Sequence, residues 1–497
     1  MKHDRKMRGA TCLASAVCLV LFAGTAHSEV YWKGNDRNNF YVNEKDNWSG
    51  SVWNQALCII NGQPTQRLTL KPGYSTFFGG AELDYSGAFA VTNDFGAGNT
   101  LVDVGPQKAL GHSMRITDGA QLVHLSGGIE ANAAGDYKGT YIQDDSSFTI
   151  DSSDSSFSQI KGSVWLYANS GDATVYPKLF VQNGASLTVN TALIVGGGGN
   201  NVSACACVTG AGSRLSASVF TIGDNGDSPA VPRVNTLRIA DSATATASTV
   251  NVGNNSSHAV LEVNGGTLNV SGKLSVGNGG NSTADKTPEA TTNCIVRVVD
   301  GTLNYGTIYL YRDGNSLDFS NATLAGGRIE MTRSSSIRLF NTHLTIPSGI
   351  FMMGDANGSD AANNALKRDI YVGGTDTWVK VSDSNGFWFR GSNTTIRVHI
   401  PAKGFSTSHP VFDLNKIVYG SADHRIRIEV TADEPTVAAA GTWYTFFRCS
   451  GDDSCRSEQI EWIVPESDDV SIKIDKSVEK EVRIRVNRKR GLMIIIK

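Results

Sequence analysis

Short runs of alternating apolar and polar residues, separated by glycine and asparagine corners, dominate the middle of the chain. The clearest example is Leu261–Gly280, LEVNGGTLNVSGKLSVGNGG. Alternation with period 2 buries one face of a strand, and an Asn-Gly pair tolerates the positive φ of a tight corner. The segment therefore predicts short strands joined by corners, with no helical pattern.

Looser copies of this pattern recur at spacings of roughly 20 to 35 residues, which lie inside the range typical of a solenoid. The copies begin at Asp118–Leu122, Asn183–Leu187, Gly210–Leu215, Asp241–Val252, Asp300–Leu303, Asn321–Leu324 and Asn341–Leu344. We therefore predict an all-β fold, a β-helix (β-solenoid) with its repeats in residues 112–375. Leu268 and Leu303 should occupy equivalent inward positions in successive coils.

The segments on either side of the repeats differ from them. Residues 29–111 are irregular and open with aromatic residues that we interpret as an N-terminal cap, because the end of a solenoid exposes strand edges that must be covered. The alternative is a carbohydrate-binding platform formed by Trp32, Trp48 and Trp53. Residues 376–497 contain longer strands in which Arg and Lys alternate with Ile and Val, which predicts a C-terminal β cap or small β-sandwich.

Residues 1–28 are typical of a signal peptide. Basic residues precede the apolar run Cys12–Ala23, and Ala26-His27-Ser28 fits a cleavage site. A membrane anchor is the alternative, but the apolar run is shorter than the ~20 residues needed to span a bilayer. We expect an exported protein, secreted, periplasmic or at the cell surface, with no transmembrane segment in the mature chain.

The overall composition adds little chemistry. Charged residues make up 18% of the chain, 53 residues are glycine, and the formal net charge is −3, so no global field favours nucleic acid.

Export would place the cysteines in an oxidising compartment, where disulfides form. Cys449 and Cys455 bracket a short polar loop and are the predicted pair. The pairing of Cys58, Cys205, Cys207 and Cys294 stays open. A zinc site built from these thiols would need a second close pair with CxxC-like spacing, and the sequence contains none.

Three segments carry a family resemblance. NGGTLNVSGKLSVGNGG, GAGSRLSASVFTIGDNG and NGASLTVNTALIVGGGG are similar to passenger-type repeats of bacterial autotransporters and related secreted β-helix proteins. The likeness extends to the WKGND…NWSG opening and the closing GTWYTFF…GLMIIIK stretch. The resemblance implies the pectin-lyase-like right-handed parallel β-helix, which occurs in adhesins and surface proteins and in some polysaccharide-degrading enzymes.

The sequence contains few candidates for catalysis or metal binding. The acidic coil holds the weak catalytic candidates Asp144, Asp145, Asp151 and Asp154. Sugar-cleaving enzymes need two carboxylates across a cleft, whereas adjacent Asp144 and Asp145 would point to opposite faces of a strand, so polar corner residues are the favoured interpretation. Asp224 and Asp227 are weak Ca²⁺ candidates. The nine histidines show no ligand spacing.

These observations favour a non-catalytic surface, adhesive or structural β-helix without a cofactor. Its partners would be polysaccharide or other cell-surface ligands rather than nucleic acid. The alternative is a carbohydrate-active enzyme, a polysaccharide lyase or glycoside hydrolase, on the same fold.

Overall fold

The computed structural model describes most of the chain from residue 29 onward. The described residues are 29–31, 48–49, 57–61, 67–69, 82–88, 90–105, 112–132, 139–167, 176–197, 203–224, 234–254, 258–277, 292–354, 364–384, 386–467 and 469–489. The predicted signal peptide, Trp32, Trp53 and Asp227 lie outside them.

The described residues form strand after strand. In chain order these are β1 (Glu29–Tyr31), β2 (Leu57–Asn61), β3 (Arg67–Leu68), β4 (Glu82–Ser86), β5 (Ala90–Asp94), β6 (Thr100–Val104), β7 (His112–Thr117), β8 (Gln121–Ala131), β9 (Gly139–Gln143), β10 (Ser147–Asp151), β11 (Ser155–Gln159), β12 (Val164–Tyr167), β13 (Lys178–Gln182), β14 (Ser186–Gly197), β15 (Cys205–Thr209), β16 (Arg214–Ile222), β17 (Thr236–Ala240), β18 (Thr244–Val252), β19 (Val260–Asn264) and β20 (Thr267–Val276). They continue as β21 (Ile295–Val299), β22 (Thr302–Leu310), β23 (Asn315–Ser320), β24 (Thr323–Met331), β25 (Ser335–Phe340), β26 (His343–Ile346), β27 (Phe351–Met353), β28 (Arg368–Gly373), β29 (Trp378–Val381), β30 (Phe387–Phe389), β31 (Thr394–Ile400), β32 (Phe412–Leu414), β33 (Ile417–Tyr419), β34 (Ile426–Ala432), β35 (Trp443–Cys449), β36 (Ile460–Ile463), β37 (Val470–Asp475) and β38 (Glu481–Arg488), with a 3₁₀ turn at Ser454–Arg456.

The strands stack into three parallel ladders, which we call faces one, two and three. Face one consists of β3, β5, β8, β10, β13, β15, β17, β19, β21, β23, β25, β28, β31, β34 and β36. Face two begins with β6 and the second half of β8 and runs through β11, β14, β16, β18, β20, β22, β24, β26, β29, β32 and β35. Face three runs from β1, β2, β4, β7, β9 and β12 through the second halves of β14, β16, β18, β20, β22 and β24 to β27, β30 and β33.

A single coil shows how the sequence produces this arrangement. β19 lies on face one, the Gly265-Gly266 corner turns the chain, and β20 covers faces two and three with a register shift between Val270 and Lys273. Every second residue points inward, and the inward residues of all coils form one hydrophobic core. The predicted all-β solenoid is thereby confirmed.

The register also confirms the predicted equivalence of two core leucines. Leu268 pairs with Leu303 in the next coil, and both are fully buried. Along face one the spacing between paired residues runs from 20, between Leu317 and Ile337, to 35, between Leu261 and Val296. Coils of different length therefore share one cross-section, because the extra residues lie outside the strands.

Polar side chains stack along the corner between faces one and two. Asp300, Asn321 and Asn341 adopt positive φ values of 51°, 49° and 48°, a conformation that Asn and Asp tolerate better than other residues with a Cβ. Asn321 Nδ2 donates to Asp300 Oδ1 at 3.0 Å, and Asn341 Nδ2 donates to Asn321 Oδ1 at 3.2 Å. The corner thus forms a ladder of its own, which positions the residues that follow it.

The sequence predicted that the repeats end at residue 375 and a C-terminal cap begins. Parallel strand pairing continues past that residue as far as β36. Antiparallel pairing joins β38 to β35 and to β37 near the C-terminal end. Near the other end, Trp48 is buried and belongs to the hydrophobic core. In the part of the chain that the structure describes, no helix has the length and hydropathy required to cross a membrane.

Candidate functional site

The four carboxylates of the acidic coil lie at two different corners. Asp144 and Asp145 precede β10, and Asp151 and Asp154 lie at its far end. Because strand residues rise by about 3.3 Å each, the five residues of β10 separate the two corners by roughly 15 Å. That separation exceeds the roughly 5 to 9.5 Å between paired carboxylates in glycoside hydrolases.

Two of these carboxylates make contacts typical of solenoid corners. Asp151 accepts hydrogen bonds from Gln182 Nε2 at 3.1 Å and from Asn183 Nδ2 at 2.6 Å, both in the next coil. Asp145 lies 4.0 Å from Lys178 Nζ. The acidic side chains therefore bind neighbouring coils to one another.

The remaining predicted site residues are also placed by the coils. Asp224 accepts a hydrogen bond from Asn254 Nδ2 at 2.6 Å, and its predicted companion Asp227 lies outside the described residues. Cys449 and Cys455 are buried free thiols, so the structure shows no disulfide between them. The Cys449 thiol donates a hydrogen bond to Cys455, and this bond together with burial raises the pKa of Cys449.

A groove lies on the outer surface of face one in the late coils. Its volume is about 430 Å³, and its lining comes from β25, β28, β31 and β34. Phe340 pairs with Gly373 in the next coil, and His399 follows Val398, the partner of Val372, in the coil after that. A Cβ at position 373 would lie 3.4 Å from Phe340 Cδ2. Glycine at this position therefore leaves a notch beside the Phe340 ring.

Two aromatic rings are exposed beside this notch. Phe340 is 37% exposed and Tyr371 is 40% exposed, and both are among the exposed large hydrophobic residues of the described chain. The arginines held over these rings are Arg338, 5.6 Å from the Phe340 centroid, and Arg397, 5.8 Å from that of Tyr371. The groove therefore presents apolar rings framed by hydrogen-bond donors.

Nearby carboxylates compensate the charge of both arginines. Arg338 Nη1 lies 3.0 Å from Asp318 Oδ1, and Arg397 Nη2 lies 3.2 Å from Asp369 Oδ1. Arg397 also forms an ion pair with Glu429. The groove consequently combines aromatic surface with a nearly neutral polar frame, which suits a polyhydroxylated ligand better than a strongly charged one.

A second feature lies around the corner from this groove. His343 Nε2 lies 3.0 Å from Asp376 Oδ2, and His409 Nε2 lies 2.9 Å from Asp376 Oδ1. The three ligand atoms of this His–Asp–His cluster all lie within 4.8 Å of one another. The arrangement could hold a metal ion.

Neighbouring residues position this cluster. Asp376 N donates to Asn341 Oδ1 at 3.2 Å, which extends the corner ladder to this carboxylate. Trp378 stacks on His409, with ring centroids 5.5 Å apart, and packs edge-on against His343 at 6.0 Å. Partial burial opposes ionisation of Asp376, but hydrogen bonds from His409 and His343 outweigh it and hold the pKa of this carboxyl below its usual value.

Sequence reasoning missed the His–Asp–His cluster because it looked for ligands close together in sequence. The sequence feature that could have revealed the cluster is a spacing of one coil length between the three residues. His343, Asp376 and His409 follow one another at intervals of 33 residues, so residues on consecutive coils meet at one corner.

Comparison with protein-family profiles, with curated proteins and with solved structures found no match to this chain. The fold itself defines the chain as a β-helix protein. The resemblance to autotransporter passengers stays a prediction.

Proposed function

We propose that this protein is an exported, non-catalytic β-helix that acts as an adhesive or structural module at a surface, and that it binds polysaccharide in the groove over Gly373. The observation that carries the proposal is the pair of exposed rings, Phe340 and Tyr371, beside a glycine notch. Export rests on the sequence of residues 1–28.

The groove chemistry supports a carbohydrate ligand. One face of a pyranose ring carries mainly C–H bonds and packs on an aromatic ring, while its hydroxyl groups need hydrogen-bond partners. Binding sites of this kind combine aromatic surface with a few fixed polar groups, and here Arg338, Arg397 and Glu429 supply the polar groups. Because both arginines are already paired with carboxylates, we expect neutral polysaccharides to bind better than highly charged ones.

Many weak contacts would suit adhesion. A groove that holds only a few sugar units binds weakly, but a long polymer engages several protein molecules on a surface, and linked weak sites raise the overall avidity.

Affinity electrophoresis through gels that contain neutral glucan, galactan, pectin or alginate tests the proposal. We expect at least one neutral polysaccharide to retard the wild-type protein, and Tyr371→Ala and Phe340→Ala to weaken binding by roughly tenfold, the equivalent of about 1.4 kcal/mol. The matched control is Tyr309→Ala, which removes an outward aromatic ring of β22 that lies outside the groove. Failure of all four polymers to retard the protein, or equal retardation of the groove variants, would contradict the proposal.

The same polysaccharides distinguish binding from catalysis. We expect no new reducing ends and no unsaturated uronates after incubation with or without Ca²⁺. Turnover that is abolished by Asp144→Ala or Asp151→Ala in folded protein would instead support the carbohydrate-active enzyme.

A further inference from the structure

We propose that His343, Asp376 and His409 bind one zinc ion, which links three successive coils of the β-helix. The two histidines lie 3.0 Å and 2.9 Å from different oxygens of the same carboxylate. In tetrahedral zinc sites with bonds of about 2.0 Å, ligand atoms lie about 3.3 Å apart. Both His–Asp distances are close to that value, so the cluster needs only modest adjustment to surround an ion.

The hydrogen bonds of His409 favour a cation at this position. Its Nδ1 lies 3.2 Å from the carbonyl oxygen of Pro410, and a carbonyl can only accept, so Nδ1 carries the proton. Its Nε2 then faces Asp376 Oδ1, a second acceptor. A neutral imidazole has one N–H and cannot satisfy both acceptors, whereas a cation at Nε2, either a second ring proton or a metal ion shared with the carboxylate, satisfies both. Metal-binding histidines commonly donate their other N–H to a backbone carbonyl.

The ligand set selects the kind of metal. Two imidazoles and one carboxylate suit zinc and related transition metals, while Ca²⁺ and Mg²⁺ prefer sites made entirely of oxygen. Three protein ligands leave a fourth position for water. The side chains of His343, Asp376 and His409 are 43%, 56% and 19% exposed, so an ion can enter from solvent.

Residues around the site hold its ligands in place in the coils that supply them. His343 and Trp378 are paired in register on β26 and β29, which places the indole against both histidine rings, and the two histidine rings pack edge-on against each other at 6.2 Å. Asn341 holds the backbone of Asp376 through the corner ladder. The three ligands therefore come from a stacked framework in which each coil supplies one of them.

Isothermal titration of the full-length, EDTA-treated protein with ZnCl₂ tests the proposal. We expect one saturable equivalent that is lost or weakened by at least tenfold in Asp376→Asn and in His409→Gln, since even supporting residues of zinc sites contribute roughly 10–100-fold to affinity. The matched control is His399→Gln. His399 also pairs with a carboxylate, Asp433 at 3.3 Å, but lies outside the His–Asp–His cluster. This control variant should still bind one equivalent of zinc.

Tryptophan fluorescence gives a second readout, which a structural role alone would not produce. Paramagnetic Co²⁺ bound beside Trp378 should quench part of the tryptophan emission. Trp378→Phe should abolish this Co²⁺-dependent quenching but should still bind one equivalent of metal. Circular dichroism in EDTA verifies that each variant is folded. The proposal is overturned if the wild-type protein shows no saturable zinc binding, or if Asp376→Asn and His409→Gln both retain the wild-type equivalent and affinity.

Discussion

Truncation of Leu268 to alanine tests the register of the β-helix at its centre. The side chain is fully buried and lies between Ala245 and Leu303 in the column of inward residues. The three carbon atoms removed correspond to about 2.4 kcal/mol at about 0.8 kcal/mol each. Because one neighbour in the column is already alanine, little side chain is available to fill the gap, and we expect a total loss of about 3–5 kcal/mol, in the upper part of the range for Leu→Ala changes.

Urea unfolding, followed by circular dichroism and by tryptophan fluorescence, measures this loss. The two transitions must coincide, since stacked repeats can unfold in parts and a single free energy then has no clear meaning. The matched control is Asn269→Ala on the next residue, which points outward and accepts a hydrogen bond from Asn304 at 2.8 Å. Asn269→Ala should lower the free energy of unfolding by at most about 1 kcal/mol. If Leu268→Ala unfolds at the wild-type urea concentration, or if the control costs as much, the inward register is incorrect.

Two further predictions concern buried titratable groups. Burial lowers the pKa of His124 from 6.5 to about 4 although Gly127 O accepts its Nε2–H, so the unfolded chain binds more protons between these values and stability falls as the pH drops through this window. The loss in the free energy of unfolding should be on the order of 3 kcal/mol. Urea unfolding measured at each pH should show a smaller pH dependence for His124→Gln than for the wild-type protein. An unchanged profile would contradict the assignment to His124. Cys449 and Cys455 should become a disulfide in protein exported to an oxidising compartment, and mass spectrometry after alkylation of unreduced material would refute that prediction by finding both thiols modified.

The sequence predicted those features of the fold that depend on neighbouring residues. Alternation in the segment around Leu268 determines which side chains face inward, because successive strand residues point to opposite sides. The Asn-Gly corners have a similarly local cause in the positive φ that they tolerate. For these reasons the solenoid and the equivalence of Leu268 and Leu303 could be predicted from the sequence alone.

The groove and the His–Asp–His cluster could not be predicted in the same way. Both depend on which residues of different coils share a register position, and the coils vary from 20 to 35 residues in length. Without the strand boundaries, the outward positions of one coil cannot be aligned with those of the next. Phe340 lies beside Gly373, and Tyr371 beside Arg397, only because these coils pair in one particular register.

The acidic coil illustrates the opposite error, in which closeness in sequence suggested a site. Asp144, Asp145, Asp151 and Asp154 lie within a span of eleven residues, but β10 separates them into two corners. His343 and Asp376 are 33 residues apart and lie within 3.0 Å. In a solenoid, one coil along the chain corresponds to one strand spacing of about 4.8 Å in space. Groups that act together therefore recur at the coil length, and the chemistry of such a chain must be sought in columns of outward residues.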